Sequence, residues 1–222
     1  MWPGSRDIPL RVLAAADIHG TLFVYEWLVG LASSVDVLVL AGDLFDTDFP
    51  AKQQKQAEKI VARLRASSVP VLYLMGNDDY VPLDYEDSLI QPLHGRRVEI
   101  GEFNFVGYQY TPPFVGDIFM KPDNEIEVDL RSLEPLVDAR TVFVTHAPAF
   151  GSLDLCYEEN AGSRSIAHFM LRKPVLAHIH GHIHHRFGTN DNHFNVASAA
   201  MCRAMLIDLP SLHHEVVTYS EI

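Results

Sequence analysis

Residues 36–43, DVLVLAGD, run without a polar break from Val37 to Ala41 and then close on Gly42 and Asp43. An apolar run this short and this continuous reads as a strand covered on both faces rather than one that alternates between core and water. The same pattern recurs in RVLAAADI, VPVLYLMG, TVFVTHAP and PVLAHIHGH. Between the first three runs stand two helical segments, TLFVYEWLVGLASS and the amphipathic AKQQKQAEKIVARLRAS. A βαβαβ order predicts parallel strands with right-handed crossovers. Further on, VEIGEFNFVGYQY reads as a hairpin with Gly101 at or near its turn, IEVDLRSLEPLV as partly helical, and SRSIAHFMLRK as a helix. HFNVASA, AMLIDL and HEVVTYS read as strands joined by short turns. A parallel α/β half followed by a strand-rich half predicts two packed sheets with helices outside. With 222 residues, 48% of them hydrophobic, the chain can bury a substantial core, and one domain over residues 1–222 is expected.

What each run ends in matters more than the runs themselves. RVLAAADIH ends in Asp17 and His19, DVLVLAGD in Asp43, VLYLMGND in Asn77 and Asp78, TVFVTH in His146, and LAHIHGHIH in His182 and His184. In open α/β sheets, ligands gather beyond the carboxyl ends of the strands. Residues two apart in extended chain point to one side, so Asp17 with His19, and His182 with His184, can each present two groups to one place. Gly42 and Gly181 permit close backbone approach beside them. Carboxylate, amide and imidazole together suit borderline divalent ions such as Mn²⁺, Fe²⁺, Zn²⁺ or Ni²⁺. The seven side chains Asp17, His19, Asp43, Asn77, His146, His182 and His184 are too many for one ion. They suit two ions about 3.5–4 Å apart that share a carboxylate.

The blocks Asp17-x-His19, Gly42-Asp43-x-x-Asp46, Gly76-Asn77-Asp78-Asp79, His146 and Gly181-His182-x-His184, in that order, resemble those of calcineurin-like metallophosphoesterases. The stretches THAPAFGSLDL, GSRSIAHFMLRKPVLAHIHGHIHHRFG and FNVASA are similar to a branch of small single-domain prokaryotic phosphoesterases. The resemblance implies a four-layer αββα sandwich of two mixed β-sheets flanked by helices. It implies one metal on Asp17, His19, Asp43 and His184, a second on Asp43, Asn77, His146 and His182, and a bridging hydroxide that attacks phosphorus. One position departs from the family pattern: Asp78 stands where a histidine usually assists the leaving group, and Asp46 matches the acid that would orient that histidine. Asp78, Asn77 and Asp46 are therefore the candidate catalytic residues, and a phosphodiester is the expected substrate. The competing expectation is a non-catalytic metal-binding scaffold that recruits a protein partner.

The formal net charge of −12 argues against a nucleic-acid or anionic-membrane surface, and so against a nuclease, without excluding a small phosphoester held by a local cation. No run is long enough to span a bilayer, the first twenty residues lack a secretory pattern, and Cys156 and Cys202 form no motif, so a cytoplasmic protein is expected. Self-association into a homo-oligomer stays open. Asp46 could equally cap the helix that follows it, and Asp79 reads as a turn or supporting acid. His178 and His180 read as buried, hydrogen-bonded histidines, His185 as solvated, and His213 and His214 as without chemistry. Ser163 and Ser165 read as caps of a helix start, and KQQKQAEK as a solvated helix face.

Overall fold

The structure, a computed structural model, describes residues 9–46, 49–83, 85–114 and 118–219. Its elements run β1 (Leu10–Ala15), α1 (Leu22–Leu31), β2 (Val37–Ala41), α2 (Pro50–Leu64), β3 (Val71–Leu74), β4 (Ile90–Pro92), β5 (Arg97–Ile100), β6 (Phe103–Tyr108) and α3 (Asp123–Leu133). There follow β7 (Thr141–Thr145), β8 (Leu155–Cys156), β9 (Glu159–Asn160), α4 (Arg164–Arg172), β10 (Ala177–His180), β11 (Gly188–Asn190), β12 (His193–Asn195), β13 (Arg203–Leu209) and β14 (His213–Thr218). Residues 1–8, within the segment expected to lack a secretory pattern, and Ser220, at the end of the HEVVTYS strand reading, lie outside the described residues.

Two six-stranded sheets form, in the orders β14-β13-β1-β2-β3-β4 and β11-β12-β10-β7-β6-β5. The centre of each is parallel: β1, β2, β3 and β4 in one, and β6, β7, β10 and β12 in the other. Antiparallel strands β13, β14, β5 and β11 complete them, so both sheets are mixed.

Three apolar cores stack through the molecule. Leu13, Ala15, Leu38 and Leu40 face the helices, where they meet Val24, Tyr25 and Leu28 of α1 and Ala57, Ile60, Val61 and Leu64 of α2. The alternate residues Val12, Ala14, Val37 and Val39 face the other sheet, packing with Phe105, Val142, Val144 and Ile179. On that sheet's outer face, Val106 and Phe143 meet Ile126, Leu130 and Leu133 of α3 and Ile166 and Phe169 of α4. The result is the four-layer αββα sandwich. It also explains the unbroken apolar runs, because both faces of every central strand are buried.

The hairpin expected around Gly101 is β5–β6, with Gly101 at φ 59° in its turn. Ser163 caps α4 by accepting a hydrogen bond from the Ile166 N–H at 3.0 Å. One reading of the sequence needs correction and one is refined. The C-terminal strands divide between the sheets: β12 joins the second sheet parallel to β10, while β13 crosses back to pair antiparallel with β1. The KQQKQAEK stretch is not wholly a solvated face, because Gln53 is fully buried. Its amide donates to the carbonyls of Asp46 (2.7 Å) and Asp78 (2.8 Å) and accepts from the Tyr80 N–H (2.7 Å). A buried amide is tolerated because these bonds satisfy it.

Candidate metal centre

The carboxyl ends of β1, β2 and β3 in the first sheet and of β7 and β10 in the second meet at one edge of the sandwich. Loop backbones interlock there: the Asp17 N–H donates to Gly42 O, the His19 N–H to Asp43 O, and the Gly181 N–H to His146 O. Asp17, His19, Asp43 and His182 all have positive φ, from 47° to 72°. Non-glycine residues adopt that conformation at a cost, and it clusters at functional sites. Close approach also demands glycine. A Cβ on Gly42 would collide with the His146 ring, and one on Gly76 with the Asp43 carboxylate.

Asp17 is fully buried and accepts from the His182 N–H (3.1 Å) and faces His184 Nε2 (3.0 Å). His184 Nε2 lies 3.4 Å from His19 Nε2. One ligand atom from each of Asp17, His19, Asp43 and His184 falls within 4.8 Å of the others. Asp43 Oδ1 accepts from the Asp78 N–H (2.9 Å), and its Oδ2 faces His146 Nε2 (3.3 Å). His146 Nδ1–H donates to the Ala41 carbonyl at 2.8 Å, which fixes the ring and aims Nε2 at Asp43 and at Asn77 Oδ1 (3.1 Å). The His182 ring sits 5.1 Å from that of His146 and edge-on to Phe114 at 4.6 Å. Asp43 thus lies between a group made by Asp17, His19 and His184 and one made by Asn77, His146 and His182.

Electrostatics follow from burial and close charge. Burial alone would raise Asp43, but His146 and His19 beside it hold its carboxyl well below the usual range. Burial would likewise lower His146, yet Asp43 and Asp17 push it up to about 10. His182 is lowered to about 4 by burial and by neighbouring His146, so it is neutral near pH 7. Asp78, half-buried, is raised by burial and by the charge of Asp43.

Two buried nitrogens, His182 Nε2 and His19 Nδ1, have no hydrogen-bond partner. Unpaired buried polar atoms are costly, and neutral imidazole nitrogens beside carboxylates suit divalent metal ions. The donor set therefore fits cations.

A cavity of about 560 Å³ opens over Asp43, Asn77, Asp78, His182 and His184, with Phe114, Cys156, Tyr157 and Arg186 on its other walls. Asp46 stands apart from this cavity: its carboxylate turns to Lys52 of α2 at 3.6 Å, and it does not cap α2, whose N-cap is Phe49. Sequence reasoning missed two supports, Gln53 and the β8–β9 hairpin, and read a third, Asp79, as a turn or supporting acid. Gln53, described above, ties α2 to the loops after β2 and β3. Asp79 accepts from the N–H groups of Phe45 (2.9 Å), Leu44 (3.2 Å) and Gly76 (2.7 Å), joining those loops beneath Asp43; burial and Asp43 push its carboxyl up to about 8. The β8–β9 hairpin, which carries Cys156 and Tyr157 to the cavity, is held by Asp154, which accepts from Asn160 (2.6 Å) and Gly162 (3.1 Å). The only signal for it was DLCYEENAG, which has no strand periodicity.

Residues 10–186 match the calcineurin-like phosphoesterase family. A solved crystal structure 18% identical to this chain covers 96% of it and 100% of its own length, with a TM-score of 0.80. TT1561 of Thermus thermophilus is 16% identical, covers 95% of this chain and 99% of its own, and has a TM-score of 0.70. The purple acid phosphatase PPD1 from yellow lupin (Lupinus luteus) seeds is 16% identical over 82% of this chain and 39% of its own, with a TM-score of 0.50. No curated protein matches. Among the described residues no helix is long and apolar enough to cross a membrane. These likenesses share the fold, and the family match spans the strand ends just described: the chain belongs to the calcineurin-like phosphoesterases, a family of metal-dependent hydrolases.

Proposed function

We propose that this chain is a dinuclear phosphodiesterase acting on a small diester. The observation that carries the reading is the convergence of side chains from five strand ends on Asp43, with buried, unpartnered nitrogens on His182 and His19. Asp17, His19, Asp43 and His184 would hold one divalent ion, and Asp43, Asn77, His146 and His182 the other. Mn²⁺, Fe²⁺, Zn²⁺ and Ni²⁺ all suit this mixture of donors. When bound, the ions supply Lewis acidity and lower the pKa of water towards neutrality.

The chain's own residues do the rest. Asp43 holds the two ligand groups together. Asn77 offers its oxygen to a cation and keeps its NH₂, which now donates to Asp78 Oδ1 at 3.2 Å, as a donor beside the cavity. Arg186 brings a cation to the cavity wall, and Phe114 and Tyr157 offer apolar surface to a leaving group. Asp78 biases the choice of substrate. An ionised carboxylate about 4 Å from a substrate charge costs on the order of 4 kcal/mol at an effective dielectric near 20. A monoester dianion suffers more from this than a diester monoanion.

The test is a panel of matched aryl monoesters and diesters on metal-stripped protein reloaded with each of the four ions. Diesters should turn over faster than monoesters. Two bound ions with no turnover of any ester would instead favour the scaffold reading. Attack by water without a covalent intermediate inverts a chiral phosphorus in ¹⁸O-labelled water. Net retention would instead show a double displacement through a covalent intermediate.

A further inference from the structure

A second histidine cluster lies one step back along β10. His178 and His180 project from the outer face of β10, and His193 pairs with His178 across the β10–β12 register. One nitrogen from each ring falls within 4.8 Å of the others. His178 and His180 are fully buried, and His193 is partly so. The neighbours of His178 fix its tautomer. The Thr145 hydroxyl gives its proton to the Ala147 carbonyl, so it can only accept from His178 Nε2–H, at 2.8 Å. His178 Nδ1 is left with its lone pair, and it faces His193 Nδ1 at 3.0 Å. His180 Nδ1 is 3.4 Å from the Gly181 carbonyl, and its Nε2 is buried with no hydrogen-bond partner.

Three imidazoles, each with a nitrogen near one point, make a candidate cation site. The His193 Nδ1–H can donate to the His178 lone pair, but the fully buried His180 Nε2 has no partner, which an apolar core does not tolerate. Thr145 backs His178 in the way that hydroxyl or carbonyl partners orient ligating histidines. Tetrahedral coordination at a metal–nitrogen distance of about 2.0–2.1 Å places ligand nitrogens about 3.3 Å apart, close to the spacing of His178 and His193. A cavity of about 470 Å³, bounded by Phe150, Ser152, Met170 and Leu171, reaches His193, the least buried of the three rings.

We propose that His178, His180 and His193 form a third metal site, for a zinc-class divalent cation, separate from the pair of ions at the strand ends. Its role is structural. It clamps β10 to β12 directly behind His182, and it stands whether or not the strand-end centre is catalytic.

The test uses the full chain, metal-stripped and dialysed against Zn²⁺. Elemental analysis should find one zinc more per chain in wild type than in His193→Gln. That substitution lies outside the strand-end centre, so the difference is independent of how many ions the centre holds. Zinc-edge anomalous scattering from wild-type crystals should place a peak among the three imidazoles. Equal stoichiometry in folded wild type and variant, or no peak there at saturating zinc, overturns the proposal. If His193→Gln fails to fold, the anomalous map on wild type decides alone.

Discussion

Asp43 faces His146 on one side and takes the Asp78 N–H on the other, and it shares a 4.8 Å cluster with Asp17, His19 and His184. That position lets it serve both ligand groups. Asp43→Asn keeps the shape and removes the charge that both ions would share. Activity should fall by more than the roughly 10–100-fold expected from losing a residue that merely orients a ligand, and by more than in His19→Ala. Metal content measured on the same samples should drop in parallel. Equal losses in the two variants would deny Asp43 a bridging role. Asp78 offers a different kind of test. Its charge lies at the cavity, so Asp78→Asn should raise kcat/KM for an aryl monoester relative to the matched diester at fixed metal loading. An unmoved ratio would mean that Asp78 exerts no charge on the phosphate.

At the scale of elements, the contact between the ends of β2 and β7 joins the two sheets through an ion pair, Asp43 with His146. Its pH dependence has two limbs. Asp43, held below its usual range, contributes stability above the unfolded value of 3.8 and loses it as pH falls through its lowered folded value. His146, pushed up to about 10, contributes fully below the unfolded 6.5 and loses its contribution as pH rises from there through about 10. In metal-stripped protein, this pair's contribution to thermal stability should therefore be level between about pH 4 and 6.5 and decline towards pH 10. His146→Gln should flatten the alkaline decline. A decline of the same size in that variant would trace it to other groups.

At the scale of the whole molecule, the candidate ligands come from both sheets, so bound ions would cross-link the halves of the sandwich at its open edge. Ions that bind the folded but not the unfolded chain stabilise by mass action, about 2.7 kcal/mol at a hundred times Kd. Chelation should lower Tm and abolish hydrolysis together, and readdition of one effective ion should restore both. If Tm recovered without activity, the cross-link would be present but the chemistry would not.

Particular residues show where the sequence was enough. Val37–Ala41 could be read as a doubly covered strand because burial on both faces removes polar alternation, a local and one-dimensional signal. That Asp17, Asp43, Asn77, His146 and His182 follow strands was legible for the same reason, since a strand's end is marked where its apolar run stops. That all of these ends meet at one edge was not legible, because it depends on how two sheets stack. Nor could the sequence say that β12 and β13 go to different sheets, since pairing partners are chosen by packing rather than by composition. Gln53 looked solvated because a glutamine among lysines has no apolar signature; only the arrival of the Asp46, Asp78 and Tyr80 backbones buries it. His193 joins His178 and His180 through a parallel register that brings the chain back on itself after the turn from β11. The chain's own order determined its strands, its helices and the chemistry at their ends; the tertiary structure alone decided which of those ends face one another, because that rests on long-range contacts that no local pattern encodes.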